Sequence, residues 1–432
     1  MPDSPYENDW QTSLWRESPE KTPGNPSLEG QIFADVAVVG AGFTGLRAAS
    51  VLAESGVNVV VVEAKDVGWG ASGRSGGQVN PMLPFNSPER IRQIVGDDKF
   101  EAVSKASLNS ATELFEFIEK YQIRCGARQN GWLRVLHSES AYKAAQTECA
   151  NWNSIGGDMH LIEGAEVARL SGSNRYKAGV VTTQGGAVQP FDLVCGLAEI
   201  SKQAGVRIFG QTPVLKLMRS EANWHLETPN GSVVSKWAII ATNGYTNGLV
   251  PGLAESIVPM TPIQMSTEPL PDDIYKSILP QGHTISDSRR IIMYARREPG
   301  NRIVYGGLGR IKNRQLDGFD WLKRDAVKVF PQLSGAKWSH AWGGRIALTK
   351  DYLPHIHEPQ ENLIAGLGYN GRGVAMSFVV GRNMAERILG KNERELDLPV
   401  TQIRPFPLRS IKMLGMETAI SVMRLMDRLE FR

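Results

Sequence analysis

The chain has 432 residues, with 41% hydrophobic and 22% charged content and a formal net charge of +3. That length can bury one large core or two interleaved ones, and the composition is that of an ordinary soluble globular protein rather than a disordered or fibrous one. The charge is too nearly balanced to imply nucleic acid, no basic run carries interleaved aromatics, and no apolar run approaches the roughly 20 residues needed to cross a bilayer.

The first residues, "MPDSPYENDWQTSLWRESPE", are polar and acidic, unlike a signal or transit peptide. Three cysteines, Cys125, Cys149 and Cys195, are odd in number and widely spaced, with no CxxC. A reducing, cytoplasmic setting without a disulfide framework is expected.

Residues 36–39 are a short apolar run, mostly β-branched valine, expected as a strand buried on both faces. Gly40-Ala41-Gly42-Phe43-Thr44-Gly45 follows. In such a turn the first glycine permits the bend, the second lets backbone N–H groups approach a pyrophosphate, and the third lets helix and strand pack closely. Residues 46–55 read as helix and 57–62 as the next strand, ending at Glu63 and Ala64. A carboxylate there accepts hydrogen bonds from a ribose 2′-hydroxyl and repels a 2′-phosphate, which disfavours NADP. The clamp alone leaves NAD and FAD open.

The next stretch, "VGWGASGRSGGQVNP", is too rich in glycine for regular structure. Gly70, Ala71, Ser72, Gly73, Arg74, Gly76, Gly77 and Gln78 are candidates to press backbone and polar groups against a large flat ligand, the alternative being a flexible surface loop. In "GVRIFGQTPVLKL" the Val214 backbone is placed to meet an adenine, and "KWAIIATNGYTN" reads as a strand ending in Ala241, Thr242 and Asn243. "RIIMYARREPGNRIVYGGLGR" reads as a β-hairpin turning at Pro299-Gly300-Asn301, with Tyr294 on its first strand either touching substrate or buried in the sheet.

"AWGGRIALTKDYLPH" supplies Gly344 and Arg345, and a guanidinium fork has the shape for a carboxylate, with an internal ion pair as the plainer role. His355 and His357 would face one way on a strand, but no third ligand has a convincing spacing, so no metal is expected. A strand then leads into Gly368, Asn370, Gly371, Arg372 and Gly373, with a helix from Val374 onward. The N-terminus of that helix suits a negative charge developing on a ligand. The end of the chain reads as an amphipathic helix with Ile411, Leu414, Ile420, Met423 and Met426 on one side. It would pack on the chain itself or on a partner subunit, or else rest on a membrane surface.

These segments in this order resemble the D-amino-acid oxidase-like FAD oxidoreductases, the family of glycine oxidase, sarcosine oxidase and γ-glutamylputrescine oxidoreductase. The resemblance covers residues 30–395 and is closest at "ASGRSGGQ" and "GYNGRGVAMS". It implies an α/β fold in which a glutathione-reductase-type FAD domain (30–85, 150–250, 340–395) is interleaved with an α+β substrate domain carrying an antiparallel sheet (86–149, 251–339). An N-terminal extension (1–29) and the C-terminal extension (396–432) complete the division. The bound dinucleotide would be FAD. It would be held non-covalently, since relatives attach it through a Cys or His and neither occurs in the two loops.

The resemblance further implies oxidation of a C–N bond in a small amine or amino acid by hydride transfer to flavin N5, with the imine then hydrolysed. It also implies O2 or another electron acceptor. Arg345 stands where glycine-oxidase-type enzymes hold the substrate carboxylate, and Arg372 would lie near the flavin. γ-Glutamylputrescine oxidoreductases lack an arginine at the Arg345 position, so an amino-acid substrate and a γ-glutamyl amine both stay open. Sarcosine oxidases carry a lysine where Val304 stands, which leaves oxidase and dehydrogenase open. From another class, a flavin-binding electron-relay or assembly subunit remains an alternative.

Overall fold

The computed structural model describes residues 13–18, 24–308, 316–407, 422–423, 425–427 and 429–431. Two eight-stranded sheets organise the chain. In the first, parallel strands run in the order Leu363–Leu367, Gly231–Ile240, Gly30–Val39, Val59–Val62 and Arg207–Phe209. His355–Gln360 adds an antiparallel edge, and Lys216–Ser220 and Asn223–Glu227 form a ribbon on the far end of Gly231–Ile240. The register pairs Val36–Val39 with Val59–Val62 residue for residue. Every one of those eight side chains is buried, which explains why both runs are wholly apolar, Val-Ala-Val-Val in one and four valines in the other.

Helix Phe43–Glu54 packs on this sheet against Pro190–Gln203 and Gly373–Ile388. The last crossing is close because it occurs at Gly381, where a Cβ would stand 2.6 Å from the Thr44 carbonyl oxygen. The helix starts three residues earlier than the sequence suggests, because Gly42 already serves as its N-cap.

The second sheet orders Trp338–Gly343, Pro262–Thr267, Arg302–Leu308, Met293–Glu298, Thr284–Asp287, Trp132–Leu136, Ala178–Thr182 and His160–Glu163. All joins are antiparallel except that between Thr284–Asp287 and Trp132–Leu136. The expected hairpin is present, with Glu298 opposite Arg302 and both Gly300 and Asn301 at positive φ.

Two of the expected boundaries need correction. The 150–250 piece, assigned to the nucleotide domain, gives His160–Glu163 and Ala178–Thr182 to the second sheet, because they extend the ladder begun by Trp132–Leu136. The 86–149 piece, assigned to the substrate domain, gives helix Asp97–Lys120 to the nucleotide side. There Phe117 stacks edge-on against Phe378 at 5.2 Å and carries the Arg47 guanidinium at 4.6 Å. Sequence distance misled in both cases, because each piece contains elements with apolar faces suited to different layers.

The N-terminal extension is not an appendage in its described part. Trp15 is fully buried, donates its indole N–H to the Ser75 carbonyl at 2.9 Å and meets Trp342 edge-on at 5.3 Å. At the other end, the described residues of 422–431 include helical positions that dock on the second sheet. Buried Asp427 accepts from the backbone N–H groups of Arg290 and Ile291, while Glu430 pairs with Arg290. Met423 and Met426 are exposed, and Ile411, Leu414 and Ile420 lie outside the described residues. Among the described residues no helix is long and apolar enough to cross a membrane.

Candidate active site

A cleft of about 2070 Å³ runs between the two sheets, from Glu63 and Val214 at one end to Gly371–Gly373, Arg345 and Tyr294. Its size exceeds that of an ordinary small-molecule pocket and suits a dinucleotide with a small substrate beside it.

The first clamp is built from backbone. Gly40 has φ +108°, where a side chain would also meet the Ala241 carbonyl oxygen at 2.9 Å. A Cβ on Gly45 would stand 2.0 Å from the Gly40 carbonyl oxygen, so this glycine is required by helix–strand packing, as the pattern predicts. Gly42 differs from the expectation in detail. Its close neighbour within the chain is Ser72, whose Oγ accepts the Phe43 N–H at 3.0 Å and would be 2.8 Å from a Cβ. The Glu63 carboxylate accepts from the N–H groups of Ala41 at 2.9 Å and Lys65 at 3.0 Å. Burial raises its pKa while these N–H groups oppose the rise. Thr212 N–H donates to the Glu63 carbonyl, which brings the Val214 segment to the same end.

The glycine-rich loop is not a flexible surface loop but is held from behind on several sides. Gln264 Nε2 and Trp342 Nε1 both donate to the Arg74 carbonyl, at 2.8 and 3.0 Å. Arg296, buried and paired with Glu298, donates to the carbonyls of Gly76 and Val188. Gly73 and Gly68 touch so closely that a Cβ on Gly73 would lie 2.1 Å from the Gly68 oxygen. Ala71, Gly77 and Gln78 line the cleft, and the buried Arg74 guanidinium lies 4.2 Å above the Trp69 ring.

The distal loop is tied to the first clamp. Tyr369 and Thr44 share a hydroxyl–hydroxyl bond of 2.5 Å, and Gly368 N–H donates to Asn243 Oδ1 at 3.0 Å. Asn370, at φ +51°, is buried and bonds Thr349 through both ends of its amide. Replacing Thr44 with Val should leave the buried Tyr369 hydroxyl unpaired. A loss of about 1–2 kcal/mol in urea unfolding is expected, and none in Thr44→Ser.

The structure brings nearly all of the sequence-derived residues to one surface. Gly45, Gly73 and Gly368 do not line the cleft, and each stands instead at a close internal contact. Arg345 lines the wall beside Tyr245, whose ring is 5.3 Å from its guanidinium and whose hydroxyl accepts its backbone N–H at 3.1 Å. Tyr294 lies over Gly306 and Gly76, where a Cβ would meet its ring at 2.3 and 3.1 Å. Its hydroxyl donates to the Ile263 carbonyl at 3.4 Å, next to Pro262, which accepts the Gly344 N–H. Burial raises the Tyr294 pKa, so the phenol stays protonated.

Arg372 lines the same cleft with its side chain on the second sheet. Its backbone caps helix Gly373–Ile388, but its guanidinium lies 4.6 Å over Trp132 of the second sheet, and burial with Arg134 nearby lowers its pKa to about 10. The histidine pair forms a stack, with rings 5.3 Å apart. His355 bonds Thr401 and Asp351, His357 bonds the Thr401 carbonyl, and burial pushes His357 down to about 4. Sequence reasoning missed Trp15, Gln264 and Arg296, which act behind the loop, and Tyr245 and Trp132, which carry the two arginines. The one available signal was the pair of tryptophans, Trp10 and Trp15, in a polar N-terminal stretch.

The donor set fits FAD on the chain's own geometry. Glycines 40 and 45 with no room for a side chain, a carboxylate at the next strand end and a helix start whose N-cap, Gly42, has no side chain form one end. A second uncapped helix start at Gly373 faces the same cleft.

Comparison with known proteins agrees. The sequence profile described as "DAO: FAD dependent oxidoreductase" matches residues 35–387. The chain is 32% identical to a probable oxidoreductase OrdL of Haemophilus influenzae, over 84% of each chain. It is 31% identical to the γ-glutamylputrescine oxidoreductase of Escherichia coli, over 89% of this chain and 90% of the relative. The crystal structure of glycine oxidase from Geobacillus kaustophilus superposes with a TM-score of 0.70 at 20% identity, covering 82% of this chain and 95% of that one. Fold, cleft and sequence thus place the chain in one family: it belongs to the DAO family of FAD-dependent oxidoreductases.

Proposed function

We propose that the protein holds FAD non-covalently and oxidises the C–N bond of a small amine or amino acid. The observation that carries this reading is that Arg345 and Tyr294 line one cleft with the glycine-rich loop, Tyr294 bonding the Ile263 carbonyl and Gly344, the residue before Arg345, bonding the adjacent Pro262 carbonyl. FAD, when bound, accepts the hydride from the carbon bearing the nitrogen. The chain's own part is to orient and to exclude water. Arg345 offers two parallel N–H donors to a substrate carboxylate, and the Tyr294 ring gives a flat apolar side. The neutral phenol takes no proton near neutral pH. Water then hydrolyses the released imine to a carbonyl compound and an amine or ammonia. Non-covalent binding is supported by the described cleft lining, which contains neither cysteine nor histidine.

A γ-glutamyl amine is the second reading of the substrate, favoured by the 31% identity to γ-glutamylputrescine oxidoreductase. Purified protein should be yellow, and acid precipitation should release FAD rather than FMN, since Glu63 is positioned for a second ribose. Colourless protein, or flavin that stays with the pellet, would overturn the cofactor assignment. A panel of amino acids and γ-glutamyl amines, followed by flavin bleaching without oxygen, separates the two substrate readings.

A further inference from the structure

The cleft holds a second guanidinium that the reading above leaves without a task. Arg372 lies over Trp132, its Nε is buried with no hydrogen-bond partner, and among the described residues no carboxylate pairs with it. Two residues along the same strand, Arg134 makes a two-point contact with Glu148 at 2.9 and 2.6 Å, and its own Nε is likewise buried without a partner. All of these side chains line the cleft.

Among the described residues the charges at this end do not balance: Arg134 and Arg372 face a single carboxylate, Glu148. The neighbouring arginines are matched: Arg289 by Asp287 and Asp325, Arg290 by Asp427 and Glu430. The surplus positive charge therefore sits at Arg372. A guanidinium withdrawn from water without a counter-charge is costly, and a carboxylate presented edge-on is the group its fork fits best.

We propose that Arg372, over the Trp132 ring and with Arg134 nearby, is a specificity-determining residue that binds a second carboxylate of the substrate, distal to the reacting C–N bond. The substrate class is then an amine with an anionic tail. A dicarboxylic amino acid, read at one end by Arg345 and at the other by Arg372, is its simplest form. The proposal rests on the amine-oxidation reading for the reacting end, but the distal site itself can be measured by binding alone.

The test uses FAD-loaded protein titrated with malonate, succinate, glutarate and adipate, and with monocarboxylates of matched length, by calorimetry and by perturbation of the flavin spectrum. One dicarboxylate length should bind roughly 10- to 100-fold more tightly than its monocarboxylate, the range of one charge-assisted pair. Arg372→Gln should abolish that preference and leave the monocarboxylate Kd unchanged, and Arg372→Lys should keep part of it. No preference at any length in the parent protein overturns the proposal, as does an unchanged preference in Arg372→Gln. Loss of FAD from both variants also overturns it, and makes Arg372 a cofactor contact. Arg345→Ala decides the underlying reading separately: weakened monocarboxylate binding upholds it whatever Arg372 does, and unchanged binding removes it.

Discussion

Gly45→Ala is expected to yield protein that retains no FAD and is recovered poorly folded. The added methyl would stand 2.0 Å from the Gly40 carbonyl oxygen and 3.1 Å from Val38 Cγ1. The first of these is backbone inside the clamp, so no side-chain rotation can relieve the clash. Helix Phe43–Glu54 would have to lift from its strand, yet the close crossing at Gly381, where a Cβ would stand 2.6 Å from the Thr44 carbonyl oxygen, holds its other side. Overpacking in a well-packed core costs about 1–3 kcal/mol and more where backbone must move. Gly42→Ala is the informative contrast. Its Cβ would meet only the Ser72 hydroxyl, at 2.8 Å, which can rotate aside at the cost of its bond to Phe43 N–H. Visible flavin absorbance and the urea midpoint measure both. Normal flavin content in Gly45→Ala would show that the clamp is not assembled as described.

Arg345→Ala should raise KM and lower kcat together. A carboxylate held by two N–H donors fixes the carbon to be oxidised, so losing the fork loses both affinity and alignment. A charge-assisted pair is worth roughly 1.5–3 kcal/mol, which sets about a 10- to 100-fold fall in kcat/KM as the minimum. Arg345→Lys should recover only part, because an ammonium makes no planar two-point contact. Competitive inhibition by simple carboxylates should vanish with the activity. A γ-glutamyl amine substrate predicts otherwise: the variant would turn over decarboxylated analogues as well as the parent does. Unchanged kinetics with a lower Tm would make Arg345 structural, through its neighbour Tyr245, and the amino-acid reading would fall.

The sequence by itself determined the parts whose physics is local. A strand, a glycine turn, a helix and a terminal glutamate lie within one stretch. Each residue type there answers to a backbone constraint, so the expected roles of Gly40, Gly45 and Glu63 follow from their place in the pattern. The hairpin around Gly300 was legible for the same reason. Tertiary structure alone decided everything that depends on which distant surfaces meet. Nothing near residues 150–190 says that two of its strands complete a ladder started at Trp132, or that the Asp97–Lys120 helix belongs with Phe378. Both follow from apolar faces that could equally serve either layer. The same holds for the site. Arg372 sits in a loop that reads as a cofactor contact, and only the packing of one sheet against the other sends its side chain onto Trp132. Trp15, Gln264 and Arg296 act on carbonyls of a loop remote in sequence, and a hydrogen bond between a side chain and a distant backbone oxygen leaves no periodicity to read.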